Sequence, residues 1–230
     1  TLLNSNPLQT SLRNAGLTEA QARGPSLHCT VSPLLPLTAS RATVLARVNA
    51  LVTPRVSVGT QILTGLQGAW YTISPNWQGY WQASNPVDTP PLPLAYNTPN
   101  MRKAIVILTD GDNNWHLSTQ HNSNVRGSSS GTDLTYGPYG RSGTWNAANL
   151  RNASGTQITV TATSQTTADT ALNTRFSQLC AAIKNAGVLV YVIGFEVASG
   201  NRAMLQNCAT PTSSPYYLEA PTASALAGAF

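Results

Sequence analysis

Charge is scarce in this sequence. Asp, Glu, Lys and Arg make up 9 % of its 230 residues, against roughly 25 % in an average soluble domain. Only Lys103 and Lys184 are lysines, so the formal charge of +5 comes from arginines spread singly along the chain. A nucleic-acid-binding surface needs a clustered basic footprint or an aromatic-basic module, and neither is present. No apolar run approaches the roughly 18 residues of a membrane span. Three cysteines, Cys29, Cys180 and Cys208, form no C-x-x-C pair and no metal-like spacing with histidine. The chain begins at Thr1 with no signal-peptide pattern, which leads us to expect a processed or excised piece of something longer.

What is abundant is Thr, Ser, Asn and Gln, a polar uncharged surface more common outside the cytosol than within it. Hydrophobic residues make 41 %, enough for a core and too many for wholesale disorder.

Patterning is clear in three regions. Ser40 is a plausible cap for a helix carrying Val44, Leu45, Val48, Leu51 and Val52, stopped by Pro54. Thr60 can cap a second helix with Ile62, Leu66, Ala69, Trp70 and Ile73 on one face, ended by Ser74-Pro75. A proline-rich irregular connection then leads to Lys103–Leu108, whose unbroken β-branched run predicts a fully buried strand. Residues 112–167 form a long polar insertion, with Gln157–Thr163 alternating like an exposed strand. Beyond it Leu172, Phe176, Leu179, Cys180 and Ile183 mark an amphipathic helix stopped at Gly187. Val188–Phe195 predicts a second buried strand, Met204–Cys208 a short helix, Tyr216–Glu219 a short strand and Ala223–Phe230 a last helix. Strand alternating with helix predicts an α/β fold, a doubly wound, mostly parallel sheet covered on both faces, in one domain over residues 1–230.

Asp110 follows the strand Lys103–Leu108, at the sheet edge where α/β proteins place their ligands. Two readings stand for it. A hard divalent cation takes carboxylate, hydroxyl and water oxygens, with Thr60 offering a hydroxyl from another loop. Alternatively, Asp110 caps a turn through backbone N–H groups. Asp110-Gly-Asp112-Asn-Asn114 begins like an EF-hand loop but fails at Trp115 and His121, where Gly and Glu are required. Gly127-Ser-Ser129-Ser-Gly131 matches G-x-S-x-G without the flanking strand and helix of a nucleophile elbow, so a secreted hydrolase centred on Ser129 is a remote alternative. Trp115, Tyr136, Tyr139 and Trp145 either form a partner-binding surface or anchor the insertion. Cys180 is either a buried free thiol or half of a bridge to Cys208.

These residues resemble a von Willebrand factor A domain, and more closely the TadG-like proteins of tight-adherence (Flp) pilus assembly in bacteria. The resembling blocks are Leu34–Thr38, Gly59–Ile62 with Gly65-Leu66, Ala69-Trp70 and Ile73–Pro75, then Lys103–Asn113, Leu179–Lys184, Val190–Phe195 and Leu205–Ala209. They run in the family's order from about residue 29 to the C-terminus. The resemblance implies a metal-ion-dependent adhesion site (MIDAS) built from three loops. Thr60 resembles the threonine of the second loop and Asp110 the aspartate of the third, with Asp112 beside it. It also implies a Cys180–Cys208 disulfide and leaves Cys29 for a partner elsewhere.

The first loop, D-x-S-x-S, is absent: none of Asp88, Asp110, Asp112, Asp133 and Asp169 begins it. In the family's order its strand is the neighbour of Lys103–Leu108. Without it that strand would show an apolar unpaired edge, so a missing N-terminal segment, a second chain or an altered topology is expected to cover it.

The function expected is non-enzymatic protein–protein binding in a pilus-assembly or surface-attachment protein of the periplasm or exterior, the full-length protein being membrane-anchored. Mg²⁺ or Ca²⁺ would bridge to a protein partner. The alternative is a structural A domain with no metal, binding through the insertion.

Overall fold

The computed structural model describes residues 33–51, 60–81, 92–111, 113–114, 136–137, 140–141, 156, 165–211, 213 and 215–228. The chain divides into two compact units. One takes in residues 1–34, 40–59 and 115–168; the other 35–39, 60–114 and 169–230.

In the first unit, helix α1 (Arg41–Asn49) starts where Ser40 Oγ accepts a hydrogen bond from the Thr43 N–H at 3.2 Å. Its apolar side chains Val44, Leu45 and Val48 are 40 to 55 % exposed, so the helix forms as its sequence predicts but buries none of its residues. Two short strands of this unit, β2 (Tyr136–Gly137) and β3 (Gly140–Arg141), pair antiparallel. The strand expected over Gln157–Thr163 lies outside the described residues, as do Cys29 and Ser129.

The second unit carries the α/β architecture. Helix α2 (Ile62–Ile73) precedes strand β1 (Ala104–Thr109), and helix α3 (Gln165–Asn185) leads into β4 (Leu189–Phe195). Helix α4 (Ser199–Cys208), β5 (Tyr217–Ala220) and helix α5 (Ala223–Ala227) complete it. The three strands form a parallel sheet in the order β1-β4-β5, with Ile105 opposite Val190 and Ile107 opposite Val192. The α3 spacing works as read. Leu172, Phe176, Cys180 and Ile183 are all at most 1 % exposed. Gly187, at φ 77°, adopts the left-handed conformation that ends the helix, and the Val188 N–H returns to the Ile183 carbonyl.

Cys180 and Cys208 form a disulfide that ties α3 to α4 across 28 residues of sequence. By chain entropy such a loop stabilises the fold by about 3–4 kcal/mol. Lys103 opens β1 from a buried position, its Nζ donating to the carbonyls of Ile73 (2.6 Å) and Leu94 and lying 4.7 Å from the Tyr96 ring centroid. Burial pushes this ammonium below the ordinary lysine pKa. Among the described residues no helix is long and apolar enough to cross a membrane.

The fully buried strand predicted from Lys103–Leu108 is corrected. Burial alternates along β1: Ile105 and Ile107 are 5 % and 8 % exposed, whereas Val106 and Leu108 are 59 % and 52 % exposed. Successive side chains of a strand point to opposite faces, so Ile105 and Ile107 share the covered face of β1, and Val106 and Leu108 the face left to solvent. On the neighbouring strand Tyr191, opposite Val106, stacks on Tyr216 at 4.9 Å, both rings half-buried.

Two outcomes test this arrangement. Ile107→Ala is expected to destabilise by about 2–5 kcal/mol and Leu108→Ala by less than about 0.5 kcal/mol, read from urea unfolding. Reduction of the disulfide should lower the urea midpoint by an amount matching about 3 kcal/mol; an unchanged midpoint would mean the bridge restrains nothing.

Candidate functional site

The C-terminal end of β1 and the N-terminal end of α2 are drawn together by two asparagines. Asn113 is 4 % exposed and its Oδ1 accepts the Leu63 N–H at 3.0 Å. That N–H is one of the first-turn donors a helix cannot satisfy internally, so Asn113 caps α2 from fifty residues away. Asn114 Oδ1 accepts the Thr60 N–H at 2.8 Å, and the Asn114 N–H returns to the Thr60 carbonyl at 2.8 Å. A backbone bridge between Gln61 and Asn113 completes the clasp.

The cap expected from Thr60 is therefore corrected. Gln61 occupies the cap position without a side-chain bond, and Asn113 supplies the acceptor. This frees the Thr60 hydroxyl for another role. Its Oγ1 lies 3.5 Å from Asp110 Oδ2, beyond the 2.5–3.0 Å of a good O–H···O bond. The turn between strand and clasp needs Gly111, at φ 104°, where an added Cβ would come within 2.6 Å of Val197. Its N–H is held by Thr109 Oγ1 at 3.0 Å. Asp110 itself is exposed and carries its carboxylate beside a helix N-terminus, a favourable place for negative charge.

Chemically, the pair is one carboxylate and one hydroxyl, oxygen donors of the kind Mg²⁺ and Ca²⁺ accept. At 3.5 Å the two oxygens are close enough to reach one cation together. The side-chain oxygens of Asn113 and Asn114 each accept one backbone N–H and serve the clasp. The Asn113 Nδ2 is buried without a partner among the described residues, and as a donor it contributes nothing to a cation. Among those residues no group of three or more His, Cys, Asp or Glu side chains gathers. The pair thus fits a hard cation in kind and fills about two of its six or more positions.

Of the other residues singled out from sequence, Asp112, Trp115, Tyr139 and Trp145 lie outside the described residues. Tyr136 begins β2. Sequence reasoning brought Thr60 and Asp110 to notice and passed over Asn113 and Asn114. Their available signal was an Asn-Asn step immediately after a strand-end turn, the residue type most suited to capping.

The clasp and the pair should separate on mutation. Asn113→Ala is expected to cost about 1–2 kcal/mol, the price of a lost helix cap, and Thr60→Ala less than about 0.5 kcal/mol, by chemical denaturation. Equal losses would make Thr60 part of the scaffold. Comparison with protein-family models, with curated proteins and with solved structures finds no match to this chain.

Proposed function

We propose that this chain is a non-enzymatic binding domain of the von Willebrand A type, in a TadG-like pilus-assembly or surface-attachment protein. It would recognise protein partners at the C-terminal end of β1. The observation that carries the reading is the exposed Thr60–Asp110 oxygen pair, 3.5 Å apart on two loops that Asn113 and Asn114 hold together. A hard divalent cation held there by the Thr60 hydroxyl and the Asp110 carboxylate would supply positive charge for a partner's acidic oxygen. This chain's part is to orient the two oxygens through the asparagine clasp.

Two further features support the reading. The Cys180–Cys208 disulfide suits an oxidising compartment such as the periplasm or the cell exterior. Among the described residues β1 has no partner on its outer edge, which suits a sheet in which another strand continues the order. In the resembling family that strand carries the first metal loop, so the remaining ligands would come from it, from Asp112 and from water.

The test is thermal unfolding of the whole chain in EDTA, then with millimolar Ca²⁺ or Mg²⁺. A ligand at 100 times its Kd stabilises by about 2.7 kcal/mol, which for a chain of this size raises Tm by roughly 5–10 °C. The rise is expected in the wild type and absent in Asp110→Ala. No rise in the wild type, or the same rise in both, would remove the metal from the account and leave a metal-free domain binding through residues 112–167.

A further inference from the structure

The last turns of α3 and α4 meet at more than the disulfide. Lys184 lies one helical turn beyond Cys180 on the same face of α3. Its Nζ donates to the Asn207 carbonyl at 2.6 Å and to the Ala209 carbonyl at 3.3 Å. Those two carbonyls flank Cys208, so the ammonium and the bridge grip the same short piece of chain. Both cysteines are 1 % exposed, whereas Lys184 is half-buried.

This contact stands on its own physics. The last carbonyls of a helix have no donor within it and form the negative end of its dipole. Lys184 brings α4 both a donor and a positive charge at that end, from a different helix. Beyond α4 the Thr210 N–H donates to the Val190 carbonyl at 3.0 Å, and Leu205, fully buried, seats α4 in the core. None of these contacts requires the S–S bond. The chain also holds a third cysteine, Cys29, so three pairings are open to it on oxidation.

We propose that Lys184 is a positioning residue for oxidation of the chain: by holding the backbone on either side of Cys208 against α3, it selects the Cys180–Cys208 pairing over those with Cys29. The oxidant is a small-molecule disulfide. The thiolate of one cysteine attacks it, forming a mixed disulfide and releasing one thiol. The thiolate of the other cysteine then attacks the protein-side sulfur, closing the bridge and releasing the second thiol. Two protein thiols are oxidised, the reagent is reduced to two thiols, and the two protons pass to the departing sulfurs. The closing step is intramolecular, so its rate follows how well the two sulfurs are held within reach of each other. Lys184 acts on that step alone. Its role is independent of the Thr60–Asp110 pair and of the function proposed for it.

The test reduces the whole chain, reoxidises it with glutathione disulfide, traps free thiols with iodoacetamide over time and maps the pairs by peptide mass. The wild type is expected to close Cys180–Cys208 and leave Cys29 outside the bridge. Lys184→Met keeps the stem and loses the donor. It is expected to close about tenfold more slowly, the factor carried by one hydrogen bond to a charged group, and to accumulate pairs containing Cys29. Lys184→Arg should restore both rate and pairing. A merely structural lysine would lower the urea midpoint without changing which cysteines pair. If Lys184→Met fails to fold, Lys184→Gln, a shorter neutral donor, decides in its place by the same two readouts. Wild-type pairing in the variant, or Lys184→Arg mispairing as Lys184→Met does, would overturn the proposal.

Discussion

The candidate cation site depends on a hydrogen bond between residues fifty positions apart. The first N–H groups of α2 have no acceptor within the helix, and Gln61 does not supply one from its side chain. Asn113 does, from the turn that follows β1. Once that amide is seated, the backbone bridge to Gln61 and the paired contacts between Thr60 and Asn114 follow from it. The strand end can no longer move independently of the helix start. The positions of Thr60 and Asp110 are consequences of this clasp, since each lies within a few residues of it and neither is held by a strong bond to the other.

Behind the clasp stands a small parallel sheet with strongly unequal sides. The inner face, with Ile105, Ile107, Val190 and Val192, is dry and the disulfide locks α3 to α4. At the other end of β1, the buried Lys103 gathers the α2 C-terminus and the Leu94 segment with two carbonyl contacts. Losing that side chain would leave two carbonyls without their donor in a place water reaches poorly. The outer face of β1 has no comparable closure, as the exposure of Val106 and Leu108 shows. A covered inner face beside an uncovered outer one lets loops at the strand end keep fixed geometry while a surface remains available.

Much of this was legible from sequence where a single element decides the outcome. Leu172, Phe176, Cys180 and Ile183 lie on one helical face whatever surrounds the helix, and Gly187 stops it through its own backbone. What failed to show was anything set by a neighbour. The run Lys103–Leu108 has the composition of a strand buried twice over, because composition does not record whether both faces of a strand are covered. Thr60 had the right chemistry to cap α2 and was displaced by Asn113, an asparagine whose partner lies far away in sequence. The proline-rich connection after α2 read as irregular, which it is, but irregular backbone also built an aromatic cluster around Trp77.

A residue-resolved NMR titration of backbone amides with Ca²⁺ locates the cation most directly. Shifts are expected to concentrate at Thr60, Leu63, Gly111 and Asn114, the amides of the clasp and its turn. Those of β5 should stay still, because they lie on the far strand of the sheet. Shifts centred elsewhere, or none at saturating Ca²⁺, would contradict the cation site.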